Sequence, residues 1–307
     1  MRKIWLVLLV LVGIMMLMQG CTKRWEEEEI NYMAPNWTSD GKIVFVEEKI
    51  IWKYEKPWLL DVNGWQDSKN IWLCEINSDG TGKKRIANIF NDVLRSILST
   101  SSAGDYVVTG EDKHKEIWVI KRDGTGLQKV GEGTYPDFSP DAERIVYQKK
   151  DQGIWIMNRD GSADHQIISD GQHPAWSSEG GRIAYTRSDS SGIWIADTSG
   201  SLVHSWKGDS IVYPVRGVSV GYIDWGPPDS NTVITEGARI SPQIEDGFIV
   251  LYLDSLQKYV FTPVKAYVYR WSPDGIRFSA RDSGGYFITT FGSNYSVNFD
   301  NKWYLKP

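Results

Sequence analysis

Short apolar runs of four to six residues alternate along this chain with polar clusters rich in Asp, Gly, Ser and Pro, and the same words keep returning. Ile71-Trp72-Leu73-Cys74 runs on to Asp79-Gly80, Ile117-Trp118-Val119-Ile120 to Asp123-Gly124, Ile154-Trp155-Ile156-Met157 to Asp160-Gly161, and Ile193-Trp194-Ile195-Ala196 to Ser199-Gly200. β-branched and aromatic runs bounded by turn residues predict strands, and Asp-Gly predicts a tight turn between them. A second phrase precedes each of these. Pro136-Asp137-Phe138-Ser139-Pro140-Asp141 leads into Arg144-Ile145-Val146-Tyr147, and Pro174-Ala175-Trp176-Ser177 leads into Arg182-Ile183-Ala184-Tyr185. Pro, Asp and Gly in these phrases are turn formers, so each phrase predicts a hairpin between two strands.

Segments such as Leu127 to Val130 and His165 to Ile168 supply a fourth strand. The aromatic that opens each unit falls at Trp37, Phe138, Trp176, Trp225 and Trp271, with Thr100 in its place in the second unit. The intervals are 63, 38, 38, 49 and 46 residues. A unit copied at a period near 40 predicts a stacked repeat, and four antiparallel strands per copy make a propeller blade. The expected fold is all-β, a six-bladed β-propeller of four-stranded antiparallel blades over residues 32–307. Strands packed between neighbours should be apolar on both faces.

The paired phrases resemble the WD40-like, or PD40, propeller repeat of TolB-type proteins. The third copy, Pro136 to Ser162, matches its pattern almost throughout. The resemblance implies a propeller that binds a protein or peptide partner in a bacterial envelope.

The first 21 residues stand apart. Arg2 and Lys3 precede the apolar run Ile4 to Met18, which is followed by Gln19-Gly20-Cys21. A basic start, an apolar stretch and a small residue predict an export signal over residues 1–20. Leu17 to Cys21 resembles a lipobox, departing from it at Met18 and Gln19, which implies lipidation of Cys21. An uncleaved anchor helix is the other reading. Acyl chains on Cys21 would tether the chain to a membrane. Thr22 in place of Asp favours the outer membrane if the cell is Gram-negative. Residues 21–31, with Glu26 to Glu29, are expected to form an acidic, solvated tether.

The net charge of −5 and the lack of a basic stripe give no support for nucleic acid. Cys74 is expected to be a buried structural thiol. The turn residues Asp40, Asp79, Asp123, Asp141, Asp160 and Asp274 lie one per hairpin and predict turns rather than ligands. The four His residues, His114, His165, His173 and His204, show no metal spacing, no hydrolase elbow is present, and no cofactor is expected. Oligogalacturonate lyases resemble TolB-type propellers and use clustered His with a metal; four scattered His residues depart from that pattern. The expectation is therefore a non-enzymatic chain.

Two places invite function. The first interval exceeds the next through the segment Val46 to Asn70, which carries Trp52, Tyr54, Trp58 and Trp65. Those rings either form an exposed partner-binding patch or fold back over the blade. Tyr135, Asp137, His173, Asp224 and Arg270 lie on first strands, which line the channel of a propeller, and are the expected contacts for a ligand at the channel mouth. Three readings stay open: a membrane-anchored scaffold for a protein or peptide, a glycan-binding or lyase-type propeller, and a purely structural envelope protein.

Overall fold

The computed structural model describes residues 23–56, 62–89, 97–100, 106–110, 115–187, 192–207, 223–226, 232–240, 244–253, 259–263, 267–273, 277–282, 285–291 and 297–304. These residues form six four-stranded antiparallel sheets, each built from four consecutive strands. The first holds β1 (Lys23–Trp37), β2 (Lys42–Lys56), β3 (Asn63–Asn77) and β4 (Lys84–Asn88). The first strands of the others are Ile97–Thr100, Thr134–Phe138, Gly171–Trp176, Ile223–Trp225 and Tyr267–Trp271. Each first strand packs against the first strand of the next sheet, and that of the sixth packs back against β1.

The core lies between sheets. Val146, Ile154 and Ile156 of the third sheet meet Trp176, Ile183, Tyr185 and Trp194 of the fourth. Ile117 and Val119 of the second meet Phe138, Ile145 and Met157 of the third. Both faces of an interior strand are therefore dry, which is why Ile43-Val44-Phe45-Val46 is apolar without alternation. Cys74 sits in the first sheet's core beside Trp37 and Phe45.

The Asp-Gly turns do two jobs. Asp79 Oδ1 accepts from the backbone N–H and hydroxyl of Thr81 at 2.9 and 2.7 Å, and Asp123 and Asp160 repeat this with Thr125 and Ser162. The glycine after each Asp turns the chain at positive φ, and it also makes room for the neighbouring sheet. A Cβ on Gly161 would meet Val130 O at 2.3 Å, and one on Gly124 would meet Ile86 O at 2.9 Å. The repeat thus records inter-sheet packing as well as turn geometry.

Residues 23–31 depart from the expected tether. Lys23 to Asn31 pair rung by rung with Glu48 to Lys56, and β2 continues the pairing to β3. Glu26 and Glu28 face Lys53 and Lys49 within ion-pair distance, which a run of glutamates read alone does not reveal. The described residues of the extra length between Val46 and Asn70 belong to this three-stranded ribbon.

Candidate functional site at the ring centre

All five first-strand residues singled out in the sequence, Tyr135, Asp137, His173, Asp224 and Arg270, line one small cavity, with Pro136, Pro174 and Ile223. They come from four sheets. Its volume of about 20 Å³ suits a single water. Asp137, Asp224 and Arg270 also border a second cavity of about 400 Å³, lined by residues from all six sheets, among them Trp37, Ser99, Phe138, Trp176, Trp225 and Trp271. That volume is in the range of small-ligand sites.

Local backbone geometry aims two of the side chains. Tyr135 and His173 occupy equivalent places, each just before a proline, and each has positive φ, 53° and 50°. The strand pairing slips at both points, between Thr134 and Asp137 and between Gln172 and Ala175. Such bulges redirect side chains, and non-glycine residues in this region store strain that only a well-packed surround sustains. The two rings meet edge to face, centroids 4.4 Å apart. Thr186 Oγ1 donates to Gln172 O and lies 3.1 Å from His173 Nδ1. The Thr186 hydroxyl thus holds the imidazole at Nδ1 and leaves Nε2 outside this contact.

The carboxylates are inter-sheet pins as well as channel groups. Asp137 Oδ1 accepts from Ser99 Oγ at 2.5 Å, and Oδ2 accepts from Trp176 N–H at 2.7 Å. Asp224 Oδ2 accepts from Trp271 N–H at 2.8 Å. Burial pushes both acids upward. For Asp137 this outweighs the Ser99 hydroxyl, the Trp176 N–H and the Arg270 charge. For Asp224 burial, with help from the Asp137 charge, outweighs Arg270 and the Trp271 N–H and raises the carboxyl to about 7. Asp224 is therefore poised to hold or release a proton near neutral pH. Ser99 and Thr186 were not among the sequence candidates. Ser99 could have been found, since it precedes Thr100 as Asp137 precedes Phe138 and Asp224 precedes Trp225.

The remaining sequence candidates fall elsewhere. Trp52 and Tyr54 lie on one face of the ribbon, with Trp52 Nε1 donating to Glu29 Oε2 at 2.8 Å and Tyr54 stacked on Trp25. Trp65 is paired with Lys53 and stands on the other face, 45% exposed. The described rings therefore do not form one patch. Trp58, His114, Asp274, the signal segment and Cys21 lie outside the described residues. Among the described residues no group of three or more His, Cys, Asp or Glu side chains is placed to hold a metal ion.

No family model matches this chain, and no curated protein matches it. Solved structures do. TolB from Acinetobacter baumannii is similar at TM-score 0.56 and 11% identity, over 89% of this chain and 78% of that one. An oligogalacturonate lyase from Vibrio parahaemolyticus is similar at TM-score 0.53 and 10% identity, over 90% of this chain and 99% of that one. An oligogalacturonate lyase in complex with manganese is similar at 0.51 and 12%, over 88% and 92%. These likenesses define the class of the fold, a β-propeller of TolB-like architecture, at identities that speak to fold alone. They also correct the expectation of a non-enzymatic chain. Two of the three are enzymes on this architecture, so the lack of a contiguous catalytic motif does not separate this chain from enzymes. The physical reason is that a channel site is assembled from single residues on separate strands.

Proposed function

We propose that this chain is a six-bladed propeller, exported and membrane-attached near Cys21, that binds an oligosaccharide at the centre of its ring and acts on it by acid–base chemistry. Six sheets, first strands in contact around the ring, and the return of the sixth sheet to β1 support the blade number. The observation that carries the function is the convergence of Asp137, Asp224 and Arg270 at the boundary of the two cavities.

The larger cavity seats the ligand. Its indole and phenyl rings lie beside the hydroxyls of Ser39, Ser99, Thr100 and Ser177, the mixture of apolar faces and hydrogen-bonding groups that sugar rings require. Arg270 supplies a fixed positive charge for an acidic or hydroxyl-bearing group. Asp224, raised toward neutrality, gives or takes the proton. His173 and Tyr135 stand behind it in the small cavity, where one water can relay the proton. The likeness to the lyases adds to this reading only through the shared fold.

The test is calorimetric titration and product analysis with a panel of neutral and uronic oligosaccharides. Wild-type protein is expected to bind and turn over a member of the panel. Asp224→Asn should keep binding and lose turnover, because the amide oxygen still accepts from Trp271 N–H. Arg270→Gln should lose affinity for acidic members. Failure of the wild-type protein to bind any member overturns the proposal.

A further inference from the structure

The first sheet is unlike the other five. Its strands β1, β2 and β3 each run 15 residues, whereas no described strand in the other sheets exceeds 9. The extra length leaves the ring as a ribbon of three strands, since β4 pairs only with Trp72 to Glu75. At the far end of that ribbon the rungs follow a definite order. The outermost is Lys23 opposite Lys56. Next come Arg24, Glu55 and Asn63, with Arg24 and Glu55 ion-paired at 3.2 Å. The third rung is Trp25, Tyr54 and Gly64, with the two rings stacked 5.2 Å apart. The fourth is Glu26, Lys53 and Trp65. Trp65 and Val62, 45% and 47% exposed, are among the largest exposed apolar side chains described.

Two features of this end point to its occupant. Aromatic side chains lie on both faces, Trp25 and Tyr54 on one and Trp65 on the other. A protein docking against a sheet reads one face, whereas a tip entering a layer end-on is surrounded on both. Tyr and Trp collect where an apolar medium meets water. The second feature is the chain beyond the described residues. Only Thr22 separates Lys23 from Cys21, and the apolar run Ile4 to Met18 ends just before that. Two residues reach at most about 7 Å. Whether acyl chains on Cys21 or the apolar run itself enters the bilayer, the membrane is delivered to this end of the ribbon.

We infer that the free end of the ribbon rests in the headgroup layer of an anionic phospholipid membrane. This rests on the proposed membrane attachment near Cys21. Lys23 and Lys56 meet lipid phosphates, and Trp25, Tyr54 and Trp65 lie at the interface. The acidic run is set back from it. Glu26, three residues past Lys23 and about 10 Å from it, is paired with Lys53, and Glu27 to Glu29 lie four to six residues past Lys23, roughly 13–20 Å at a strand's rise. That exceeds a screening length of about 8–10 Å, so their charge does not oppose contact with anionic lipid. They are also occupied, Glu28 with Lys49 and Glu29 with the indole N–H of Trp52. From Lys23 to Tyr32 the ribbon spans about 30 Å, so it acts as a stalk that holds the ring off the membrane.

The experiment reconstitutes the full chain in vesicles of phosphatidylcholine, with and without phosphatidylglycerol, and measures quenching of Trp emission by brominated phospholipids. Flotation of the vesicles reports attachment separately. The expected result is a quenched component that shrinks in Trp25→Phe and again in Trp65→Phe but not in Trp155→Phe, a ring residue. Lys23→Gln with Lys56→Gln should abolish the gain from phosphatidylglycerol. Protein that floats with quenching indifferent to Trp25→Phe and Trp65→Phe overturns the inference, keeps the attachment, and leaves these rings to a protein partner. Protein that does not float overturns both.

Discussion

The guanidinium of Arg277, in the sixth sheet, lies over the indole of Trp37, in the first, 4.8 Å from the ring centroid. The same contact joins Arg144 to Trp176 and Arg182 to Trp225, from the second strand of one sheet to the first strand of the next. Between Arg277 and Trp37 it joins the two ends of the chain, so a device that elsewhere stacks neighbours here closes the ring. Cation–π contacts of this kind are worth about 0.5–2 kcal/mol.

Arg277→Ala is accordingly expected to lower unfolding stability by about 1 kcal/mol, similar to Arg144→Ala, with Trp37→Ala costing about 3–5 kcal/mol because it also empties a core site. Urea unfolding measures all three. A cost for Arg144→Ala with none for Arg277→Ala would mean that the Arg277–Trp37 contact contributes nothing to closing the ring.

The raised carboxyl of Asp224 predicts a pH dependence with a definite sign. Its folded value of about 7 lies above the ordinary 3.8, so between those limits the folded state keeps a proton that the unfolded state has released. This group's contribution is whole below 3.8 and is lost as pH rises through about 7. Asp224→Asn removes the slope while keeping an acceptor for Trp271 N–H. Melting temperatures across this range should show the Asn protein gaining on wild type as pH rises. Parallel curves would mean that Asp224 titrates normally.

Asp40 should act in the opposite direction. Burial alone would raise it, but hydrogen bonds from Arg122 and Thr38 and the Arg122 charge hold it down at about 2. Its contribution is present above 3.8 and fades as pH falls toward 2, so Asp40→Asn should narrow the loss of stability in acid. Acid unfolding followed by circular dichroism checks this.

Cys74 is fully buried, and burial, reinforced by the Glu47 charge, pushes its thiol up to about 12. The reactive species is the thiolate. Native protein should therefore leave Cys74 unalkylated by iodoacetamide at mildly alkaline pH, and denatured protein should modify it fully, as read by mass spectrometry of the peptide that carries it. Rapid alkylation of the native protein would show that this core opens.

Much of the ring was legible because its signals are local. Strand alternation, the Asp-Gly turns and the opening aromatic recur within some 40 residues, and each reports a nearby backbone constraint. The third copy, Pro136 to Ser162, became the first three strands of its sheet, Thr134–Phe138, Arg144–Lys149 and Gly153–Asn158, as its phrases implied. The five channel candidates were picked because first strands line a propeller's centre, and that inference depends only on strand order. The ribbon was half legible. The surplus between Val46 and Asn70 stood out against the repeat, but Glu26 to Glu29 looked like a solvated run because their partners, Lys49, Lys53 and Trp52, lie over 20 residues away.

The sequence by itself determined the unit, its strands and its turns, since these follow from short β-branched and aromatic runs and from the φ preferences of Gly, Pro and Asp. Only the tertiary structure decided that Asp137, Asp224 and Arg270 share one site. Their separations along the chain carry no spacing signal, and their meeting depends on how the sheets curve into a ring. It also decided the backbone twist that turns Tyr135 and His173 inward, and the burial that raises Asp224. Burial and convergence belong to the assembled ring, and no single blade contains them.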